Sequence, residues 1–273
     1  MNRMKTLVRL AVSLSLAFSL LGQTANPKVP KPPKGKIESE MINAVFTSQD
    51  PDQRITAVET LLAKFHDTDY KALALYMATV SAEQKNDYEK LVIYGERTLE
   101  TDPEFYAVML MLARATATKT REFDFDKEEK LGKVDKWAKQ GIELAKTAPK
   151  MNAQIADADW EAARKDFVAQ GHEALALAAT VRKKHDVAAA EYKNALDNMP
   201  KPDPVTQARL GSAYNNMSKW DDALAILDKA NTAPDVVPAV KSFISSERVR
   251  ALMGKKKSEA AAPAPPPAAA PKQ

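Results

Sequence analysis

The residues able to do chemistry are few. Histidine occurs at 66, 172 and 185 only. His172 and Glu173 open the pattern in which a helix offers two histidines to zinc, but Ala176 stands where the second histidine is needed. His66 falls at the end of a predicted helix, where a cation is favoured by the helix dipole. Glycines stand at 22, 35, 95, 132, 141, 171, 211 and 254, never closer than 9 residues apart, so no glycine-rich phosphate loop can form. Gly132–Lys133 imitates its end, but Lys127 occupies the earlier glycine place. The carboxylates gather as Asp157/Asp159/Glu161 and Asp221/Asp222, at helix starts and on solvated faces. Cysteine is absent, which removes disulfides, thiolate metal sites and cysteine nucleophiles. The expectation is no catalytic residue, no metal ligand and no cofactor, hence not an enzyme.

The scarcity of glycine and abundance of alanine favour helix. The basic pI of about 9.0 comes from the ends. Residues 37–254 hold 29 basic and 35 acidic side chains, net −6, a poor surface for polyphosphate, so no nucleic acid is expected as a partner. At the start, Arg3, Lys5 and Arg9 precede an uncharged run of 13 residues, Leu10–Gly22. That length suits a secretory signal and is too short to span a bilayer of about 30 Å. Residues 1–25 are read as a signal peptide. The mature chain is expected to be exported, periplasmic or otherwise associated with the cell envelope, and to lack a transmembrane segment. Residues 26–36, "NPKVPKPPKGK", read as a Pro/Lys-rich linker, and 255–273 as a disordered Ala/Pro-rich tail.

Between these ends, apolar residues recur at the helical spacing i, i+3, i+4, i+7, with almost no strand alternation. Breakers predict eleven helices, at 38–48, 52–65, 69–84, 88–101, 104–118, 126–147, 157–182, 186–198, 204–217, 220–231 and 237–253. Asp126 with Glu129 three places on reads as a capping box. Gly254 reads as the stop of the last helix.

Helices packed antiparallel need small residues where backbones meet and large ones between. The segment 204–234 supplies both. Leu210, Gly211 and Tyr214 lie on its first helix, and Trp220, Ala223, Leu227 and Ala230 on its second, before Pro234. This resembles the tetratricopeptide repeat, a helix–turn–helix unit of about 34 residues. The preceding unit offers Leu175, Ala176, Ala179, Ala188, Tyr192, Ala195 and Pro200 at matching places, with His185 where the turn aromatic falls. An earlier unit has Tyr88 and Pro103 but Leu91 at the small-residue place. The next, closing at Pro149, is about 12 residues long in excess, centred on "KTREFDFDKEEK". The first pair, 38–66, matches least. Its "AVETLLAKFHDTDY" looks like the second helix of repeats in exported envelope-assembly proteins.

The resemblance implies an all-α superhelix: a solenoid of about five helix pairs over 37–254, ended by a capping helix with a polar outer face. It implies a scaffold that binds a protein or peptide. The implied groove residues are Tyr76, Val80, Glu83, Leu110, Arg114, Glu173, Thr180, Ser212, Asn215 and Asn216. Ala208 and Ser212 stand at two places where some members clamp a C-terminal carboxylate, so no such ligand is expected. Phe123 and Phe125, alternating with acids in the insert, read either as a hydrophobic staple or as a partner contact. A structural part of an envelope or outer-membrane assembly complex and a cryptic hydrolase are the other two classes left open.

Overall fold

The structure is a computed structural model and describes residues 30–150, 154–234 and 236–261. The signal-peptide reading, the start of the Pro/Lys segment and residues 262–273 lie outside them. Among the described residues there are eleven helices and no strand. They are α1 Lys36–Thr47, α2 Pro51–Lys64, α3 Lys71–Gln84, α4 Tyr88–Thr101, α5 Tyr106–Lys119, α6 Lys127–Thr147, α7 Asp157–Val181, α8 His185–Asn198, α9 Pro204–Asn216, α10 Trp220–Asn231 and α11 Pro238–Ala261.

Local chemistry starts several of these helices. Pro51 and Pro204 take the first helical turn, where no backbone donor is needed. Asp50 accepts from the Gln53 amide at 2.8 Å, Asp87 from Lys90 at 3.1 Å and Asp203 from Thr206 at 3.0 Å. Asp126 precedes α6 without capping it; its carboxylate instead meets Lys130 Nζ at 2.9 Å, so the expected capping box does not form.

Three interhelical turns share one backbone device. Asn86, Lys183 and Ser218 each have positive φ, near 55–59°. In each, the next residue's amide reaches back five places: Asp87 to Ala82, Lys184 to Ala179 and Lys219 to Tyr214, all at 2.9 Å. This is the Schellman closure of a helix. It recurs after α3, α7 and α9, the first helix of three pairs. After α5 the insert replaces it.

The chain forms two compact units, the first ending at Ala174 and the second starting at Leu175, within α7. In the first, Val45, Val58, Leu61, Leu75 and Ala78 join α1, α2 and α3. Ala82, Leu91, Val108 and Leu112 continue the core into α4 and α5. Gly95 faces Leu112: a Cβ there would lie 2.8 Å from its Cδ2. Arg54 is buried in the same unit. Its guanidinium donates to the Ser48 carbonyl and, at 3.2 Å, to Ser81 Oγ, while burial lowers its pKa. The end of the Pro/Lys segment is tied down, with the Lys34 amide donating to Glu38 at 2.6 Å and Lys34 Nζ to Asp67 at 2.5 Å.

In the second unit, Ala176 and Ala179 at the end of α7 pack on Ala188, Ala189 and Tyr192 of α8 and on Leu210 and Ala213 of α9. Ala223, Leu227 and Ala230 of α10 pack with Ala208 of α9 and with Ile244 and Ala251 of α11. Gly211 lies under Leu227, with a Cβ only 2.5 Å from Leu227 Cγ. Gly254 does not stop α11. The helix continues to Ala261, and Gly254 is there because a Cβ would meet the Trp220 ring at 2.7 Å. Residues 255–261 of the expected tail are therefore helical.

Candidate interaction surfaces

In the first unit, α3 and α5 share a polar and aromatic face. Glu83 accepts a charge-assisted hydrogen bond from Arg114 Nη2, joining the two helices. Tyr76 stacks at a tilt on Phe105, ring centroids 5.1 Å apart. Burial pushes the Tyr76 phenol up to about 12, and Glu83 adds to the shift. Tyr106 meets Phe167 of α7 edge-on at 5.2 Å. Its hydroxyl is buried with no hydrogen-bond partner, and burial pushes its pKa well above the usual tyrosine range. The expected residues Tyr76, Val80, Glu83 and Arg114 thus come together here, each partly exposed.

Leu110 does not join them. It is fully buried, because Gly141 of α6 and Gly171 of α7 open space for its Cδ2 at 2.8 and 3.0 Å from where their Cβ atoms would be. Glu173 is buried as well. Phe105, Tyr106 and Phe167 were missed. The "PEFY" start of α5 was the signal for the first two.

In the second unit, Thr180 is exposed and bonds the Ala176 carbonyl at 2.8 Å, and Ser212 is half-buried. Asn215 is 1% exposed, and its amide is committed to Glu247 of α11. Asn216, though exposed, accepts from Arg250 at 2.6 Å. These two asparagines hold the last helix and do not face open water as a pair. The physical reason is that α11 lies against α9, over the surface that the resemblance assigns to a ligand.

The insert between α5 and α6 is built from two successive tight turns. Asp124 N–H donates to the Arg121 carbonyl, and Lys127 N–H to the Asp124 carbonyl, both at 3.2 Å. The Asp124 carboxylate accepts from the Arg121 amide at 2.9 Å and faces Lys130 at 3.9 Å. Phe123 is 87% exposed and Phe125 fully exposed. Neither ring folds back, so the staple reading is corrected: no apolar contact of theirs holds the insert.

His66 is exposed, His172 half-buried, and His185 opens α8 with a buried Nδ1. Among the described residues no three His, Asp or Glu side chains are arranged to hold a metal. No helix among them is long and apolar enough to cross a membrane.

No family model matches the chain, and no curated protein matches it in sequence. Solved structures do. A thermophilic tetratricopeptide-repeat protein of Thermus thermophilus is 16% identical with a TM-score of 0.50, over 78% of this chain and 99% of its own. An assembly chaperone of RpL4 (residues 1–338) is 12% identical with a TM-score of 0.46, over 82% and 99%. A tetratricopeptide-repeat protein of Parabacteroides merdae is 13% identical with a TM-score of 0.40, over 84% and 95%. With the recurring Schellman turns and the glycine-under-leucine contacts, the first of these shows the fold: the chain is an all-α, tetratricopeptide-like helical repeat protein.

Proposed function

We propose that this chain is a non-catalytic, exported scaffold that binds a protein or peptide partner in the cell envelope. A tetratricopeptide-like fold suits a protein partner. The observation that carries the reading is the pair Phe123 and Phe125, held on a two-turn insert and presented to solvent. Two large apolar rings presented together on one loop form the kind of patch that marks an interaction site, and loops on repeat arrays are where binding side chains gather. The α3–α5 face, with Tyr76, Glu83 and Arg114, offers a second set of contacts in the same unit. Export is supported by the short apolar run after Arg3, Lys5 and Arg9.

The test replaces both phenylalanines with serine. The melting temperature stays within about 1 °C of the parent, as expected for exposed surface substitutions. Crosslinking in intact cells, followed by mass spectrometry, then loses the partner seen with the parent chain. Persistence of that partner at full yield would remove the insert from the binding site. N-terminal sequencing of the native protein tests export, and a chain still beginning at Met1 defeats it.

A further inference from the structure

The last helix repeats the register of α9. Pro238 follows Pro204 by 34 residues, the period of the repeat, and both open their helices. At that offset Ile244 matches Leu210, and both are buried. Asn215 matches Val249, and here the two differ. Asn215 is 1% exposed because α11 covers it, whereas Val249 is 50% exposed. Leu252 and Met253, three and four residues on, are 53% and 68% exposed. They share a helix face with Val249. The expected polar cap is therefore not what α11 presents. It carries an apolar stripe at the place where a further helix would continue the stacking.

The charges beside the stripe define what fits. Lys255 is committed to Asp221 at 2.6 Å and Arg248 to Asp228 at 2.7 Å. Arg250 is held by Asn216 and Glu247, and Glu259 turns toward Lys255. Lys256 and Lys257 are exposed and follow Leu252 and Met253 four residues on, in line with the stripe at its C-terminal end, given 3.6 residues per turn. The C-terminal end of the stripe is cationic. A second copy packed antiparallel on this face would set the lysines against its Ser245–Ser246 end, with the Glu247 carboxylate turned inward to Asn215, and would offer them no free acid.

We infer that the outer face of α11 is a docking site for an amphipathic helix of a partner protein, apolar along its centre and with Asp or Glu beside one end of its apolar stripe. It is separate from the Phe123/Phe125 insert and stands whether or not the insert binds. The apolar stripe supplies the helix-in-groove contact, and Lys256 and Lys257 select its sign.

The probe is a pair of 20-residue helical peptides with the same leucine stripe, one flanked by glutamates and one by lysines, titrated by fluorescence anisotropy against the full chain. The glutamate peptide is expected to bind at least tenfold tighter, and more weakly as salt rises. Val249→Asp with Met253→Asp weakens it at least tenfold at an unchanged melting temperature. If those variants melt lower, Val249→Ser with Met253→Ser must show the loss instead. Phe123→Ser with Phe125→Ser binds the glutamate peptide like the parent, so failure of the insert reading leaves this result intact. Three results overturn the proposal: equal or absent binding of the two peptides; a dimer of the parent, in sedimentation, that the aspartate variants dissociate; or capture on phosphatidylglycerol vesicles that the glutamate peptide does not compete.

Discussion

The side-chain amide of Asn215 donates both to the backbone carbonyl of Glu247, at 2.9 Å, and to its carboxylate, at 2.7 Å. With Asn216, which accepts from Arg250, this residue ties α9 to α11. A charge-assisted bond of this kind, made where water is excluded, is stronger than an exposed one. Asn215→Ala takes one donor from the carbonyl and one from the carboxylate, leaving the carboxylate with Arg250 alone at 3.5 Å, and removes a buried Asn215 Oδ1 that has no partner of its own. The expected loss is about 1–3 kcal/mol, read as a lower melting temperature and as faster amide exchange along α11 than along α9. An unchanged melt would show that the pair contributes nothing to holding the helix.

The repeat register of α9 and α10 was legible, because Leu210, Gly211, Tyr214, Ala223, Leu227 and Ala230 carry it within one local stretch. What covers α9 was not legible. Asn215 reads as a groove residue from its own helix alone, and only the placement of α11 turns it inward. Leu110 failed for the same reason at longer range. Its burial is decided by Gly141 and Gly171, which lie on two later helices beyond the insert that breaks the period. The exposure of Phe123 and Phe125 was one of two readings that sequence could not separate, since an alternating Phe–acid run serves a staple or a partner equally well. Helix existence is a local property. Which face is covered depends on distant chain, and the misplaced residues are those at such contacts.

Two glycines of one chain should respond to alanine in opposite directions. At Gly171, a Cβ would lie 2.8 Å from Ile142 Cδ1 and 3.0 Å from Leu110 Cδ2. Gly171→Ala should cost about 1–3 kcal/mol through overpacking. At Gly132, inside α6 and exposed, nothing lies within 4 Å. Gly132→Ala should stabilise by about 0.5–1 kcal/mol, because alanine loses less backbone entropy in a helix. Chemical denaturation of both variants reads the difference, and equal signs would refute the packing described around Leu110.

The three Schellman turns should respond according to residue type. Lys183 and Ser218 carry a Cβ at φ 59°, where a left-handed backbone costs about 1–2 kcal/mol for an ordinary residue. Glycine removes that cost and gives back part of it as chain entropy. Lys183→Gly and Ser218→Gly should each raise stability by about 0.5–1 kcal/mol. Asn86→Gly, at φ 55°, should gain less, since asparagine tolerates this region. The ordering is checked by thermal melts of the three single variants. Equal gains at all three would argue against strain as the source.

The tyrosines on the α3–α5 face set an alkaline limit on the first unit. The chain has 7 tyrosines. Burial raises the Tyr76 phenol to about 12, with Glu83 adding to it, and raises Tyr106 also, with Tyr76 contributing. In an unfolded chain these phenols ionise near pH 10. The folded form therefore binds protons that the unfolded form has already released. Stability from this source is complete below about pH 10 and falls as the pH rises toward 12. Absorbance at 295 nm should show exposed tyrosines ionising first, and the rest only as the far-ultraviolet helical signal is lost. Tyr76→Phe removes one such proton and should move the loss of helix to higher pH, while the neutral-pH melt changes little. If Tyr76→Phe leaves the alkaline midpoint where it is in the parent, the Tyr76 hydroxyl is open to solvent, and the shared aromatic face is looser than its 5.1 Å contact with Phe105 implies.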